Sequence, residues 1–501
     1  MAWFKDFTDR TIGRMIGLET NKAISSYQEH LVDVQRWINI YEGKPYWSSE
    51  AVVSREKAAA AISLLTNKVT SEFESEIVPK KKSSKRAKIA NKAYGNLVEK
   101  TADYLESLMV TGSGVFKVFV SRGKVGVDFY PAHRIIPIRF DEFGDLVEVY
   151  LLDRARVDNK IYTKIEHHKF DDVLYTIKTS VHKGEGVSAS GKLTDKVDFS
   201  TVSQWSKVTP VVNLENALMP AFLYVKTPYV NNNSISSEYG VSVMSKAEQY
   251  LRDYDVRYAE YNTEFEHAES IVFVPKKYME PNPDPNATDP SFKSKLFTKL
   301  HGDNMDNSAN RIDEWAPAIR NVNYEQSLEV ILRNIEFNFG LAYGEMSQSS
   351  EVAKTATEVR ASKERSYATV RSYHKLIKTT YETLADMIVY RIGVFSPFLG
   401  VEEDDLTSYE VTFYFDDSVA MDVGGYAEKK MAEFSAGIIT KEFYLKEVYG
   451  MTEEEIKEAT GAVDEVDQPT ESPLVDKPVQ DSPPEDVADV LTDDKKETEQ
   501  P

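Results

Sequence analysis

The chain has 501 residues, 60 Lys+Arg against 81 Asp+Glu, a formal net charge of −21 and no cysteine. Such a length suits about three domains, and the lack of thiols excludes disulfides, cysteine nucleophiles, zinc fingers and thiolate-held clusters. No apolar run approaches the roughly 18 residues of a membrane span, and Lys5, Asp6, Asp9, Arg10 and Arg14 break up the N-terminal apolar residues, so no secretory core forms and a soluble, non-exported protein is expected.

The first 110 residues read as mostly helical. Trp37, Ile40 and Tyr41 close an apolar face before the turn Gly43-Lys44-Pro45, Ala58 to Leu65 is an alanine-rich helical run, and Ile89 to Met109 is another helical stretch. Between the last two lies the densest basic patch, Lys80-Lys-Lys82 to Lys88, which lacks interleaved aromatics and reads as a solvated loop entering a helix.

From Gly112 the hydrophobic period changes. Val115–Val120, Val125–Tyr130, Ile135–Phe140 and Leu146–Leu152 are short strands, divided by turn signals at Arg122-Gly123, Pro131 and Gly144-Asp145. Strand-like runs continue through Ile161–Ile165, Val173–Ile177 and Ala221–Val225, which makes 110–228 an antiparallel β-rich region. Gly112-Ser-Gly114 has no third glycine, and the helix belongs before it, so it is a turn and not a phosphate loop.

Ala247, Leu251, Tyr254, Tyr258, Tyr261 and Phe265 then recur at alternating spacings of four and three, with Val243 one turn ahead. This is a heptad-like seam on a helix of about 23 residues, about 34 Å long. Its tyrosines suit a partly wet interface, where the ring packs and the hydroxyl finds a partner. After the strand-like Ile271–Val274 comes a proline-stiffened, irregular insertion of about residues 269–321; Asp284, Asn286 and Asp289 fail as a calcium loop, since position 6 is Asp289 and position 12 is Lys295.

Leu328, Ile331, Leu332, Ile335 and Phe339 mark the next helical face, interrupted by Gly340, Gly344 and a polar stretch to Glu351. A third helix follows, with Val370, Tyr373, Ile377, Tyr381, Leu384, Ile388 and Ile392 on one stripe, about 55 Å long. A strand at Tyr409–Phe415 and a final helix pair between Gly425 and Thr460 complete the ordered chain. Residues 461–501 carry 13 acidic and 3 basic residues, six prolines and no aromatic residue, the composition of a disordered, solvated tail.

Catalytic signatures are missing. There is no G-x-x-x-x-G-K-[ST], no H-E-x-x-H and no G-x-S-x-G. His167 and His168 are adjacent, and neighbours on a strand point to opposite faces, so they cannot share a metal. The run Glu402-Glu-Asp-Asp405 reads as an exposed acidic loop. The expectation is a non-enzyme with no cofactor and no metal.

The order of elements, with several motifs, resembles the portal protein family of tailed double-stranded DNA bacteriophages, of the long-tailed siphovirus type, over about residues 20–460. The motifs are Trp37…Tyr41-x-Gly43, Gly112-Ser-Gly-Val-Phe-Lys-Val-Phe, Val127-Asp-Phe-Tyr-Pro131, Ile135-Ile-Pro137, Ser237-x-Tyr-Gly240-x-Ser242 and Lys354-Thr-Ala-Thr-Glu-Val359. The resemblance implies an α+β portal fold whose long helices line a central channel. It assigns 1–240 to the wing, 241–268 and 322–340 to the two stem helices, 269–321 to the clip, 341–355 to the tunnel loop, 356–424 to the long wing helix and return strand, and 425–460 to the crown.

It further implies a head–tail connector: a homo-oligomeric ring, a dodecamer as a rule, at one capsid vertex of the virion. The ring passes DNA during packaging and ejection, and docks the terminase large subunit and then head–tail adaptor proteins. Major capsid and scaffolding proteins would be partners in the host cytoplasm during assembly, with no membrane involved. The tunnel-loop residues Met346, Ser347, Gln348, Ser349 and Ser350 are then expected to face DNA, weakly, because strong phosphate contacts would add drag. Lys246, Arg252, Arg257 and Arg333 would line the channel or make inter-subunit ion pairs. Ala247, Leu251, Tyr254, Tyr258, Tyr261 and Phe265 would form the stem packing seam, and Lys276, Lys277, Lys293, Lys295 and Lys299 a basic docking face on the clip. Another virion ring or adaptor protein, or a carboxylate-based nuclease, are the rival readings.

Overall fold

A computed structural model describes residues 18–79, 85–171, 173–184, 193–235, 237–267, 271–275, 297–300, 313–315, 318–347, 356–401, 409–415, 430–435, 437–441 and 443–445. The chain divides into two compact units, Met1–Ala420 and Met421–Pro501. The first is α+β.

Helices α1 (Leu18–Tyr41) and α2 (Lys57–Thr70) open the first unit, followed by strand β1 (Glu74–Pro79) and helices α3 (Lys85–Val98) and α4 (Thr101–Thr111). The single helical stretch expected over Ile89–Met109 is thus two helices. The break has a local cause: Lys100 N–H donates to Leu97 O in a tightened turn (3.2 Å), and the Thr101 hydroxyl turns back onto Val98 O (2.7 Å) while sharing a hydrogen bond with Tyr381 (2.6 Å).

Strands β2 (Ser113–Ser121), β3 (Lys124–Pro131), β4 (Ile135–Phe140), β5 (Leu146–Val157), β6 (Lys160–Asp171), β7 (Leu174–Gly184), β8 (Leu193–Val197), β9 (Val211–Glu215) and β10 (Phe222–Lys226) follow. They form two sheets, β10-β2-β3 and β4-β5-β6-β7-β8, with β9 also on β7. Every pairing is antiparallel, so the sequence period of two is read directly as core-facing and outward-facing residues. His167 and His168 lie on opposite faces, as that period requires. His167 stacks on Tyr150 and bonds to Glu148, and His168 is fully buried beside Tyr175.

After the sheets come α5 (Glu248–His267), the small strands β11 (Ile271–Pro275), β12 (Phe297–Leu300) and β13 (Asp313–Trp315), then α6 (Asn321–Phe339), α7 (Ala356–Val394), α8 (Ser396–Leu399) and β14 (Tyr409–Tyr414). The insertion is less irregular than its prolines suggest, because β11 pairs parallel with β12 and antiparallel with β13. A second departure is β1, whose partner is β14, some 330 residues later in the chain. On α7 every member of the expected stripe, Val370 to Ile392, is buried in one core shared with Trp37, Leu65, Leu97, Phe116 and Phe222. In the second unit, helical residues 430–435 precede a turn, with Lys430 paired to Glu433 at 2.9 Å and Phe434 stacked on Tyr444.

Two glycines fix where the chain leaves the β-rich region. A Cβ on Gly240 would stand 2.0 Å from the Gly112 carbonyl oxygen, and one on Gly112 2.6 Å from the Val241 carbonyl carbon, so the two backbones meet with no room for side chains. Around them Val243 N–H and Ser242 Oγ both donate to Met109 O, and Thr227 Oγ1 donates to Val241 O. Held by these bonds, residues 243–247 are turns, and α5 starts at Glu248, later than the seam predicts.

A buried ionic chain joins the two sheets. Lys117 of β2 pairs with Glu166 of β6, which also holds Lys164 at 2.9 Å and His168 at 3.1 Å; Lys164 reaches Asp153 at 3.3 Å, and Asp153 pairs with Arg134. Burial alone would raise the Glu166 carboxyl, but Lys117, His168 and Lys164 outweigh it and hold it well below the usual carboxylate range. Burial lowers His168 to about 4, so it is neutral when folded, and His30 and His133 are lowered to about 4 by the same cause.

Both effects have one sign. Protonating the three histidines favours the unfolded chain as pH falls from 6.5 toward 4, and Glu166 loses its contribution below its unfolded value of about 4.3. Urea unfolding is therefore expected to show stability falling through pH 6.5 to 4; a flat profile there contradicts the assignment. Glu166→Gln, which leaves the part-buried Lys117 without its carboxylate and Lys164 with Asp153 alone, should cost about 3 kcal/mol at pH 7.

Candidate functional site

The residues that the resemblance assigns to a stem fall largely on α5 and α6, which run antiparallel. Their far ends meet through Arg320, whose guanidinium binds Glu264 with two bonds of 2.9 and 2.7 Å, and through Tyr261, whose ring lies 5.8 Å from that of Tyr324 and whose hydroxyl donates to Glu325. An α-helix of 20 residues extends about 30 Å, and the burial changes along it. Ala247, Leu251 and Tyr254 of the seam are buried, Tyr258 and Tyr261 half-buried, and Phe265 exposed. On α6, Leu328, Leu332, Ile335 and Phe339 are buried, while Val322, and Ile319 just ahead of the helix, are exposed. The core holds one end of the pair, and toward the other the helices have each other.

The aromatic seam is covered from a second side by residues 47–57. Trp47 Nε1 and Arg55 N–H both donate to Asp255 at 2.9 Å, Arg55 lies 4.1 Å above the Tyr258 ring, and Lys57 lies over Tyr254. Each such cation–ring contact contributes about 0.5–1 kcal/mol where exposed and more where desolvated. The tyrosines thus serve as the partly wet packing surface that their chemistry suits.

The four cations singled out on the pair separate into two groups. Lys246 and Arg252 are exposed, with no acidic partner among the described residues. Arg257 pairs with Glu260 (2.6 Å) and Arg333 with Glu329 (3.4 Å), each within its own helix and each more than two-fifths exposed.

The turn after α6 is built around a residue that the sequence reading passed over. Gly340, at φ +73°, ends α6, its N–H reaching back to Glu336 O and Phe337 O. The chain then wraps over the Glu336 carboxylate, which has no solvent exposure. That carboxylate accepts from the N–H groups of Gly344 (3.2 Å), Met346 (2.6 Å) and Ser347 (2.8 Å) and from the Ser347 hydroxyl (2.8 Å). Consecutive N–H groups converging on one anion form a nest, and here the anion is the chain's own. Next to it Lys68 of α2 binds Glu345 at 2.5 Å and Ser366 of α7 at 3.3 Å, and Arg365 of α7 lies 4.2 Å over Phe337 and 4.9 Å over Tyr343.

Of the five residues expected to face DNA, Ser347 is 7 % exposed and spends its hydroxyl on Glu336, and Met346 packs against the core. Their positions make them anchors of the turn. Gln348, Ser349 and Ser350 lie outside the described residues, as do Lys276, Lys277, Lys293 and Lys295; Lys299 lies on β12. Among the described residues no cluster of three or more His, Asp or Glu is placed to hold a metal ion, and no helix is long and apolar enough to cross a membrane.

Removing the Glu336 carboxylate strands the N–H and hydroxyl of buried Ser347 at about 1–3 kcal/mol each, and leaves the half-buried Met346 N–H and the exposed Gly344 N–H without this acceptor. Glu336→Ala is expected to lower unfolding stability by about 3 kcal/mol or more and to open 341–347 to limited proteolysis. Amide exchange at Gly344, Met346 and Ser347 should be slow in the wild-type chain, and fast exchange there would contradict the anchoring.

No family model matches the sequence, and no curated protein does. Among solved structures the chain is similar to one described as the neck of a native GTA particle computed with C12 symmetry, at 10 % identity and a TM-score of 0.36, covering 82 % of this chain and 92 % of that one. A superposition of that quality does not establish a shared fold.

Proposed function

We propose that this chain is a portal protein: a subunit of a ring at one capsid vertex, through which double-stranded DNA is packaged and later ejected. The observation that carries the reading is the order of elements with its motifs. An α+β body emits α5 at a fixed backbone contact, a small sheet follows, α6 returns antiparallel, an anchored turn reverses the chain, and a helix of 39 residues runs back through the core. We read these elements as the wing, stem, clip, stem, tunnel loop and wing helix of the resemblance. The siphovirus type, the dodecamer, and docking of the terminase large subunit, then adaptors, on the clip belong to the same proposal, with Lys276, Lys277, Lys293, Lys295 and Lys299 offering charge to an acidic partner surface.

The chemistry suits a conduit. A duplex that must slide gains nothing from a wall of phosphate-neutralising residues, since every neutralised phosphate adds affinity. In a chain of net charge −21, the exposed cations Lys246 and Arg252 are the ones we assign to the lumen. The DNA-facing role of the turn falls to Gln348, Ser349 and Ser350, with Met346 and Ser347 holding its base. No step of covalent chemistry is assigned to any residue, and the motor that drives DNA is a separate protein.

Mass photometry of the full-length protein, alone and co-expressed with its capsid and scaffolding proteins, tests the proposal. The expected outcome is a discrete assembly near twelve times the 56.8 kDa chain mass. A chain that stays a monomer or dimer in both preparations and cleaves DNA with Mg²⁺ would instead establish the nuclease alternative.

A further inference from the structure

Helix α6 has two apolar faces. One carries the buried Leu328, Leu332, Ile335 and Phe339. The other carries Val322, Val330 and Phe337, which are 56 %, 56 % and 51 % exposed. Spacings of eight and seven residues return these three to one side at about 3.6 residues per turn, roughly opposite the buried stripe. A helix that is apolar on two opposite sides needs a partner on each; on the outer side Arg365 caps one face of Phe337, and Val322 and Val330 remain more than half exposed among the described residues. Arg333 stands in the middle of the exposed stripe, and its ion pair among the described residues is the long contact to Glu329.

The outward face of α5 complements this stripe. Asp253, Val256 and Glu260 recur at three and four residues on the side away from buried Leu251 and Tyr254. Asp253 is exposed and has no cationic partner among the described residues. The register of the helix pair sets the levels: Arg320 meets Glu264 and Tyr324 meets Tyr261. Counting back along both helices puts Arg333 level with residues 251–252 and Val330 level with 254–255. Copies related by rotation about an axis along the helix pair keep those levels, so Arg333 comes within one turn of Asp253 of the next copy, and Val330 within one turn of its Val256.

We infer that the outer stripe of α6, Val322–Val330–Arg333–Phe337, is a subunit contact that packs on the Asp253–Val256–Glu260 face of α5 in a second copy of this chain, with Arg333 and Asp253 as its cross-copy ion pair. The inference rests on the ring proposed above and specifies which faces close it. The contact is heterologous, joining two different surfaces, so it generates a ring when the rotation closes. Duplex DNA is a poor occupant of the same surfaces, since valines and a phenylalanine offer phosphates nothing and Asp253 and Glu260 repel them.

Charge exchange tests the pairing. Arg333→Asp and Asp253→Arg are each expected to reduce the assembled fraction in mass photometry at least tenfold at fixed concentration, and the double variant to recover most of it. Asp253 is exposed and the Arg333 side chain is 43 % exposed, so far-UV circular dichroism of each variant should match wild type. Val330→Asp, which adds no rescue partner, should reduce assembly whether or not Asp253 is changed. If the wild-type chain assembles and the single variants assemble equally well, or the double variant fares no better than the singles, the pairing is wrong while the ring reading stands. A wild-type chain that never assembles overturns both.

Discussion

A carboxylate with no exposure to water governs the geometry of the helical part of this protein. Glu336 sits one turn before the end of α6 and is satisfied by three backbone N–H groups and a hydroxyl from the next eleven residues. A buried carboxyl group stripped of such donors is costly, so the turn cannot unwrap without exposing Glu336 or leaving its oxygens unsatisfied. The direction in which α6 hands the chain to α7 is thereby set by one side chain, and Lys68 and Arg365 tie the same turn to α2 and α7. At the other base of the pair, the contact between Gly112 and Gly240 does the equivalent job with backbone alone. Both roots of the helix pair are pinned.

What lies between the roots is progressively less self-sufficient. Buried aliphatic and aromatic residues give way to half-buried tyrosines, then to ion pairs and exposed apolar side chains such as Phe265, Ile319 and Val322. Exposed ion pairs contribute at most about 1 kcal/mol each, so the outer half of the pair draws little stability from its own chain. In a lone globular protein that is a defect. In a wall made of repeated copies it is the expected state of a subunit whose remaining contacts come from its neighbours.

Periodic features were legible in the sequence because they need no distant partner. The stripe from Val370 to Ile392, the alternation in the β-rich region and the turn at Gly112 all stand as their spacing implies, while the tyrosine seam is buried only as far as Tyr254 and its helix starts at Glu248. What could not be read was pairing across the chain. Glu74–Pro79, three polar residues and then three apolar ones, carries no strand period until β14 supplies its other half, and Gly240 is only a glycine until the Gly112 carbonyl is 2.0 Å from where a Cβ would be. Glu336 was hidden in the same way. In sequence it is an acid among Leu332, Ile335 and Phe339 on a helix, while the donors that explain it arrive eight to eleven residues later. The signal that could have found it is the pattern Gly340, Gly344 and Ser347 after a buried-face acid, a backbone free to curl around an anion.

The central claim is that α5 and α6 are wall elements of a rotationally symmetric assembly, rooted in the body of each subunit. A cryo-electron-microscopy reconstruction of the assembled protein tests it most directly. The account predicts helix pairs ranged around an open axis wide enough for a duplex, with Glu336 at the root of each and Val330 covered by the adjacent copy. A map in which the pairs are enclosed within a solid particle, with no opening along the axis, would contradict it.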